Sequence, residues 1–440
     1  MQADEEGGRT AQTGLRTRLG KGLRTLPRQF WLLTAGTFVY LIGLDMCFPF
    51  QTTYLNRSLG VPMTTVGLIL GITLLAGLPL QILGGAAADR FGRRPLLIVA
   101  IVASMTLLIG LGLSRELWFI VTLFAVEAAF GWAQYITASN TMVADLTPFA
   151  RRAEAFSITR VALSAGAMVG PLVAAILLVL DPSFRLAFIG GGLVCGVFLL
   201  MVVVLFKETR PPTIARETVG TVVRGYGRVS RDRRLLIFCL IALLPLYGFG
   251  QVWVTLPIVL EDLQGVSAQT WGVIVAVYAA ATAILQYPVV RVLGRYDHVL
   301  LVALGSACVG VGLGSSAFAP WPWTFACILI LSFGLALFLP ISATIVSRMA
   351  PVALRGRYMG AWTLVYTGGY ALGPLLGGWA LEALGGRGAF AVVGVAGLLG
   401  ALLFPLLRTR GWAGSGEDSA AETTAALGEE MRAEPPGQVV

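Results

Sequence analysis

Two acidic residues stand inside long apolar stretches of this 440-residue chain, where the presence of a charged group needs an explanation. Asp45 belongs to the stretch that begins near residue 30, and Glu127 to the stretch that begins near residue 118. A charged side chain in such a place costs about 2.5–3.5 kcal/mol on membrane-insertion scales, so it is a functional candidate by default. A carboxylate in apolar surroundings can load and release a proton or bind a cation. We predict that Glu127 is the principal proton carrier and that Asp45 is its partner, or the acid that recognises a cation.

No arginine or lysine lies deep in an apolar stretch to neutralise either carboxylate. If the two acids are close in the fold, they titrate as a coupled pair. The alternative for Asp45 and for Glu127 is a structural role, in which the carboxylate is hydrogen-bonded to a helix backbone or to a neighbouring threonine.

The composition identifies the element that must hold these acids as a membrane-spanning helix. The chain is 56% hydrophobic and 12% charged, whereas soluble domains carry about 25% charged residues. A helix needs about 20 apolar residues to cross a bilayer. We therefore predict an all-α integral membrane protein with twelve transmembrane helices in two six-helix repeats. The twelve apolar runs lie near 30–53, 63–86, 95–113, 118–142, 156–180, 185–206, 235–260, 271–292, 298–318, 323–347, 358–382 and 388–407.

Polar stretches divide the chain into five parts. A basic segment, 1–28, precedes a six-helix bundle, 29–206; a linker, 207–234, leads to a second bundle, 235–408; and a polar tail, 409–440, is predicted to be disordered. If the N-terminus is inside, the outer loops hold only four of the 32 basic residues. The positive-inside rule then places both termini and the linker in the cytoplasm, and we expect a multi-pass protein of a bacterial inner membrane.

The two halves of the chain repeat each other. Residues 166–175 read GAMVGPLVAA in the fifth apolar run, and residues 369–378 read GYALGPLLGG in the eleventh, at an offset of 203. Parallel six-helix repeats joined by a cytoplasmic linker are typical of transporters, whose substrate sites lie between the halves near the midplane.

The loop after the second apolar run reads GGAAADRFGRRP over residues 84–95. It resembles the loop between helices 2 and 3 of the major facilitator superfamily, with the pattern G-x-x-x-D-R-x-G-R-R. The matching residues are Gly85, Asp89, Arg90, Gly92, Arg93 and Arg94.

A second resemblance, to the G-x-x-x-G-P-x-x-G-G pattern in helix 5 of the twelve-helix drug:proton antiporters, rests on Gly166, Gly170 and Pro171. Ala174 and Ala175 replace its last two glycines. The fourth run departs more sharply, because Glu127 stands where this group often carries an arginine.

The resemblance implies a cytoplasmic gate. Asp89 would help to latch the two halves when the inner side is closed, and Arg90, Arg93 and Arg94 would serve the same gate. The glycines and the proline of the two motifs would support it by close helix packing. Asp145 and Arg152, which flank the loop after the fourth run, are expected gate partners. Two alternatives stay open for Arg160: its side chain extends to the inner interface, or it binds Glu154 or Asp145.

The resemblance also implies that helices 1, 4, 7 and 10 line a central cavity, across which Asp45 and Glu127 could face each other. On the fourth run, Glu127, Gly131, Gln134 and Ala138 share one helical face. Aromatic walls with two acids suit lipophilic cations. The expected substrate-binding residues are Asp45, Glu127, Phe48, Gln134, Tyr135, Tyr247, Gln251, Trp253, Phe338 and Tyr366.

These observations favour a proton-coupled exporter of small lipophilic, cationic compounds that works as a monomer by rocker-switch alternating access. The alternative is a facilitator or proton-coupled carrier of a specific metabolite on the same fold. Partners are a small-molecule substrate, protons and the lipid bilayer, with no nucleic acid. A receptor or an enzyme is disfavoured because no nucleotide-binding loop and no metal-site spacing is present. We expect neither a cofactor nor a metal.

Overall fold

The structure is a computed structural model that describes residues 26–148, 151–209, 229–351 and 354–408, except for the side chains of 81–89 and Ala153. The described residues form helices and connections, without a strand. Two short helical pieces, Gln51–Thr53 and a π-helical turn at Tyr54–Ser58, follow the first helix. The longer helices are α1 Arg28–Asp45, α2 Met63–Phe91, α3 Arg93–Leu113, α4 Leu117–Phe130, α5 Trp132–Leu146, α6 Arg152–Leu180, α7 Arg185–Leu205, α8 Arg233–Val254, α9 Leu256–Gln264, α10 Ala268–Leu293, α11 His298–Ser316, α12 Thr324–Met349 and α13 Arg355–Arg408.

Ten helical segments of the described chain are long and apolar enough to cross a membrane. α4 and α5 count as one of them, as Leu117–Leu146, and α1 is not included. α13 also counts once, although Gly385 interrupts it with non-helical angles (φ 69°, ψ 173°). The predicted number of twelve is reached only by adding α1 and dividing α13 at Gly385, so the number itself stays a prediction.

The outward-facing side chains explain why these helices need a bilayer. Many large apolar residues are more than 60% exposed, and a soluble monomer rarely tolerates such continuous apolar surface. In lipid the same side chains meet hydrocarbon, while the helices satisfy their own backbone groups. Examples on five different helices are Val161, Val179, Leu193, Leu240, Ile284 and Leu402.

Three of the predicted continuous helices are interrupted, which corrects the sequence analysis. The run predicted over 118–142 breaks at Gly131, between α4 and α5. The run predicted over 30–53 leaves the α-helix after Asp45, and the run over 235–260 is interrupted at Thr255, between α8 and α9. Hydropathy is insensitive to such breaks because the residues on both sides of each are apolar. The shared face predicted for Glu127 and Ala138 therefore does not belong to one continuous helix.

By their contacts, the described residues fall into two compact units. The first holds the described residues within Met1–Cys47, Pro79–Val173 and Phe184–Ile214. The second holds those within Phe48–Leu78, Ala174–Ser183 and Ala215–Val440. The second unit thus contains two parts of the predicted N-terminal bundle, 48–78 and 174–183, in addition to the described residues of the predicted C-terminal bundle.

In the first unit, the glycines of the fifth apolar run allow α6 to approach α1 closely. A methyl group added at Gly166 would lie 2.6 Å from Cβ of Leu41, and one at Gly170 would lie 2.7 Å from the carbonyl oxygen of Ile42. Only glycine fits such a crossing, because a side chain would push the two backbones apart. The motif therefore holds α6 against the half of α1 that ends at Asp45.

The second unit repeats this packing with α13 against α8. A methyl group at Gly369 would lie 2.6 Å from Cβ of Leu246, and one at Gly373 would lie 2.5 Å from Cα of Gly250. The sequence repeat at an offset of 203 thus corresponds to the same kind of helix pair in each unit. Nearby, an aromatic cluster of Phe238, Phe338, Trp362 and Phe404 fills the core of this unit.

Candidate functional site

The Glu127 carboxylate lies at the break between α4 and α5. The break removes the usual helical acceptor for the first N–H groups of α5, and a side chain can replace it. The Trp132 N–H donates to Oε1 of Glu127 at 2.9 Å, and the Ser104 hydroxyl donates to the same oxygen at 3.1 Å. The other oxygen, Oε2, is buried and has no hydrogen-bond partner among the described residues. Glu127 therefore caps α5 with one oxygen and leaves the second unused.

A buried chain of hydroxyl groups continues from Glu127 to α1. Tyr40 Oη lies 2.7 Å from Ser104 Oγ, and both side chains are fully buried. Since the Ser104 hydrogen goes to Glu127, Tyr40 donates to Ser104. The Tyr40 ring also packs against the ring of Tyr135, with centroids 4.2 Å apart. The carboxylate is thus linked to α1 through α3.

Gly131 provides the space in which the carboxylate sits. A methyl group built on Gly131 would lie 2.0 Å from Oε2 and 2.1 Å from Oε1 of Glu127. No real contact is that short, so a side chain at position 131 and the observed position of the carboxylate exclude each other. The glycine is consequently part of the site.

Asp45 occupies the last position of α1, where the chain leaves the helix. Its side chain is partly exposed, and no hydrogen bond or ion pair to its carboxylate is found among the described residues. Its Cβ lies 3.0 Å from where a methyl group on Gly170 would be. Both Asp45 and Glu127 interact electrostatically with the Cys195 thiol, although no hydrogen bond joins the two acids in the described structure. The structure thus brings both acids into one unit, around a shared neighbour.

Two more of the expected substrate-binding residues, Gln134 and Tyr135, lie on α5 and are buried. Gln134 donates from Nε2 to the carbonyl oxygens of Leu80, at 2.8 Å, and Ala129, at 3.1 Å. Tyr135 donates from Oη to the Thr37 hydroxyl at 2.8 Å. In this conformation both side chains hold helices together and present little surface to a ligand.

The remaining expected substrate-binding residues lie in the second unit. Phe48 is half-buried and packs against Trp253, with ring centroids 5.4 Å apart. Gln251 is fully buried and bonded to Thr255, while its Nε2 has no partner among the described residues. Phe338 is part of the aromatic core, and Tyr247 and Tyr366 lie on α8 and α13 respectively.

The predicted gate residues that can be described are bonded inside the first unit. Arg93 pairs with Asp145, its Nε lying 3.1 Å from Oδ2, so the loop motif contacts the end of α5. The gate role of both residues stays a prediction. Glu208, which the sequence analysis missed, accepts hydrogen bonds from the backbone N–H groups of Arg93 at 2.9 Å and Arg94 at 3.1 Å. It caps α3 directly after Gly92, whose φ of 102° favours glycine. The signal available in the sequence was an acidic residue, Glu208, shortly after the sixth apolar run.

Arg94 completes this cluster by donating to the carbonyl oxygens of Val202 and Val203, near the end of α7. Cations are stabilising at such a helix C-terminus. Arg90 is exposed, while the side chains at Gly85 and Asp89 lie outside the described part of the structure. The latch role expected for Asp89 therefore stays a prediction.

The contacts of Glu154 and Asp145 argue against an ion pair between either of them and Arg160. Glu154 pairs with Arg151 at 2.9 Å, and Asp145 pairs with Arg93 and interacts electrostatically with Arg152. Arg160 itself is exposed on α6, and no ion pair to it is found among the described residues. An extension of its side chain towards the membrane surface agrees with this placement better than either ion pair.

A polar cluster in the second unit was also missed from the sequence. Arg57 contacts Asp262 and lies with Nε 3.1 Å from Oε2 of Glu261. Partial burial lowers the pKa of Arg57, but the hydrogen bond and charge of Glu261, together with Asp262, outweigh it and raise the pKa above its ordinary value. This cluster connects the π-helical turn Tyr54–Ser58 to α9.

No group of three or more potential metal ligands occurs in the described part of the chain. The five cysteines are free thiols. The arrangement around Glu127 and Asp45 is instead suited to the movement of protons or the binding of a cation.

Comparison with known proteins shows the family of this chain. The sequence profile of the Major Facilitator Superfamily matches residues 33–263 and 239–435. The multidrug resistance protein MdtH of Cronobacter sakazakii is 30% identical over 367 residues, which cover 82% of this chain and 88% of the relative. MdtH of Klebsiella pneumoniae is 29% identical over 368 residues, with the same two coverages.

Solved structures show the same fold at low sequence identity. The nucleoside transporter NupG superposes with a TM-score of 0.72 at 14% identity, covering 87% of this chain and 99% of that one. The human organic anion transporter MFSD10 superposes with a TM-score of 0.61 at 20% identity, covering 86% and 99%. The chain therefore belongs to the Major Facilitator Superfamily, and it is a multi-pass membrane transporter of small molecules rather than an enzyme.

Proposed function

We propose that this transporter exports small lipophilic cations in exchange for protons, across a bacterial inner membrane and with both termini in the cytoplasm. A single observation carries the proposal: a buried carboxylate, Glu127, stands in a transmembrane segment with one oxygen that has no partner among the described residues. Burying an ionisable group in this way costs free energy, and transporters accept that cost where protons are moved.

The surroundings of the two acids support different roles for them. Glu127 belongs to the last turn of α4, but its carboxylate accepts the Trp132 N–H at the N-terminus of α5, where the helix dipole stabilises a negative charge. Asp45 lies at the C-terminal end of α1, where the dipole adds to its negative charge. A bound cation near Asp45 would be stabilised by both. We therefore assign proton carriage to Glu127 and cation recognition to Asp45.

The relatives support export as the direction of transport. Proteins named for multidrug resistance share about 30% identity with this chain over most of both lengths. Resistance arises when a drug leaves the cell, and a varied set of drugs is most simply recognised by charge and apolar surface. The partly buried Phe48 and the exposed Trp132 offer such surface in the two units.

In the proposed cycle, protons and substrate compete for the negative charge of the site. A proton taken up by Glu127 on the outer side favours release of the cation, and its loss to the cytoplasm restores the charge that attracts the next one. Coupling follows because the two ligands favour opposite charge states of the same monomer. The gate around Arg93 and Asp145 would change contacts during the cycle.

The test is export of ethidium from proteoliposomes under an imposed proton gradient. We expect gradient-driven export by the wild type, its loss in Glu127→Gln, and weakened ethidium binding in Asp45→Asn. Glu116→Gln is the matched control, because Glu116 is an exposed carboxylate at the start of α4.

Full proton-driven export by Glu127→Gln would refute the assigned carrier. Absence of gradient-dependent movement of any lipophilic cation by the wild type would refute the proposed function and favour a metabolite carrier, with these acids as substrate ligands.

A further inference from the structure

The two oxygens of the Glu127 carboxylate differ in their surroundings. Oε1 accepts two hydrogen bonds, from the Trp132 N–H and the Ser104 hydroxyl, while Oε2 is buried and accepts none from the described residues. The Ser104 hydroxyl is in turn the acceptor for Tyr40. Ser104 and Tyr40 belong to α3 and α1, so this pair of hydroxyls comes from helices distant in sequence from Glu127.

We propose that Ser104 and, through it, Tyr40 are positioning residues of the coupling carboxylate, and that the transported proton binds at Oε2. This inference rests on the proposed function, since it concerns the atom that carries the proton. Ser104 has no contact with a substrate in this assignment. Its hydroxyl keeps Oε1 in place, so that the oxygen without a partner is the one that takes up the proton.

The hydrogen-bond directions are consistent in both charge states. In the ionised state, Tyr40 donates to Ser104 and Ser104 donates to Oε1. On proton uptake, an O–H bond forms at Oε2, the carboxyl group becomes neutral, and Oε1 becomes a carbonyl oxygen. A carbonyl oxygen still accepts from Ser104 and from the Trp132 N–H. The proton comes from a hydronium ion, which becomes water as its O–H bond breaks, and neither the Ser104 nor the Tyr40 hydroxyl has to rotate.

In the described structure, hydrogen-bond donors are the main groups that stabilise the charge of Glu127. The titratable groups that interact with it electrostatically are Tyr40 on α1, Cys47 just after α1 and Cys195 on α7. None of them is charged at neutral pH in its ordinary state. The charge of Glu127 is therefore stabilised by donors and by the α5 dipole, without a cation from the described part of the site.

The experiment is infrared spectroscopy of the purified full-length protein as a function of pH, in the absence of substrate. The carbonyl stretch of a protonated carboxyl group that disappears in Glu127→Gln identifies the Glu127 signal. In Ser104→Ala we expect this band to shift to higher frequency, because its carbonyl oxygen has lost a donor. The pH midpoint at which the band disappears should rise by about one unit. The hydrogen bond from Ser104 is stronger when Glu127 is ionised, so its loss destabilises the ionised form more than the neutral form.

Two variants separate positioning from general damage. Ser104→Thr keeps a hydroxyl and should restore both the frequency and the midpoint, while Tyr40→Phe should move them in the same direction as Ser104→Ala but less. Ser332→Ala is the matched control, because it removes an equally buried hydroxyl that bonds only to its own helix. It should leave the band unchanged.

The outcomes distinguish the inference from the function on which it rests. If no band is lost in Glu127→Gln, Glu127 does not take up protons, and the assignment of proton carriage to it under the proposed function is wrong. If the band is present but Ser104→Ala leaves its frequency and its midpoint unchanged, the function stands and the inference is overturned. The same holds if Ser332→Ala moves the band as much as Ser104→Ala does.

Discussion

Replacement of Gly131 by alanine should displace the carboxylate that we regard as the proton carrier. The new methyl group would lie 2.0 Å from Oε2 of Glu127, so the side chain has to leave its position. It then loses the hydrogen bonds from Trp132 and Ser104. Hydrogen bonds to a charged group contribute about 1.5–3 kcal/mol each, so we expect a loss of about 3–6 kcal/mol if Glu127 is ionised.

The assay is a double-mutant cycle on thermal stability in detergent, combined with transport. Gly131→Ala should lower the melting temperature and abolish proton-driven export. In a Glu127→Ala background the methyl group has no carboxylate to displace, so the same replacement should cost much less. We expect a coupling free energy of about 3 kcal/mol between the two positions, at the top of the range for residues in contact.

Gly368→Ala is the control, because a methyl group there meets nothing within 4 Å. It should leave both stability and export close to the wild-type values. The reasoning is refuted if Gly131→Ala costs the same with and without the Glu127 carboxylate, or if it behaves like the control.

Three further predictions concern packing, capping and charge. Glu208→Gln weakens the cap on Arg93 and should lower the free energy of unfolding by about 1 kcal/mol; an unchanged melting temperature would contradict the cap. Gly36→Ala places a methyl group 1.9 Å from the Phe198 ring and should cost about 1–3 kcal/mol, seen as a lower melting temperature; a stable variant would argue against this crossing. Arg57→Ala should cost at most about 1 kcal/mol at low salt and less at high salt, because its ion pairs are over a third exposed; a salt-independent cost would rule out an electrostatic origin.

Much of the fold could be predicted from the sequence, because hydropathy in a bilayer determines where helices must be. α3, for example, covers 93–113 where the apolar run predicted 95–113. The interruptions of the helices could not be predicted from the sequence. Asp45 and Gly131 lie between apolar neighbours, and whether a helix continues past them depends on tertiary partners rather than on composition.

The candidate site was predicted in part for a similar reason. The cost of burying a carboxylate in a membrane indicated Asp45 and Glu127 without any structure. The partners of Glu127 were hidden, because Ser104 lies 23 residues away on another helix and has no local pattern of its own. Glu208 was missed likewise, since its contact with Arg93 spans 115 residues.

The glycine crossings described above bear on the history of the chain. Gly170 lies against Asp45 in the first unit, whereas Gly373, its repeat, lies against Gly250 in the second. If the halves arose by gene duplication, the first copy has an acid at this crossing. In the second copy, the backbones of α8 and α13 are in contact at the same place. That second helix pair has no room for a side chain at Gly250, so a single substitution could not place an acid there. At this crossing, only the first helix pair leaves room for an acidic side chain.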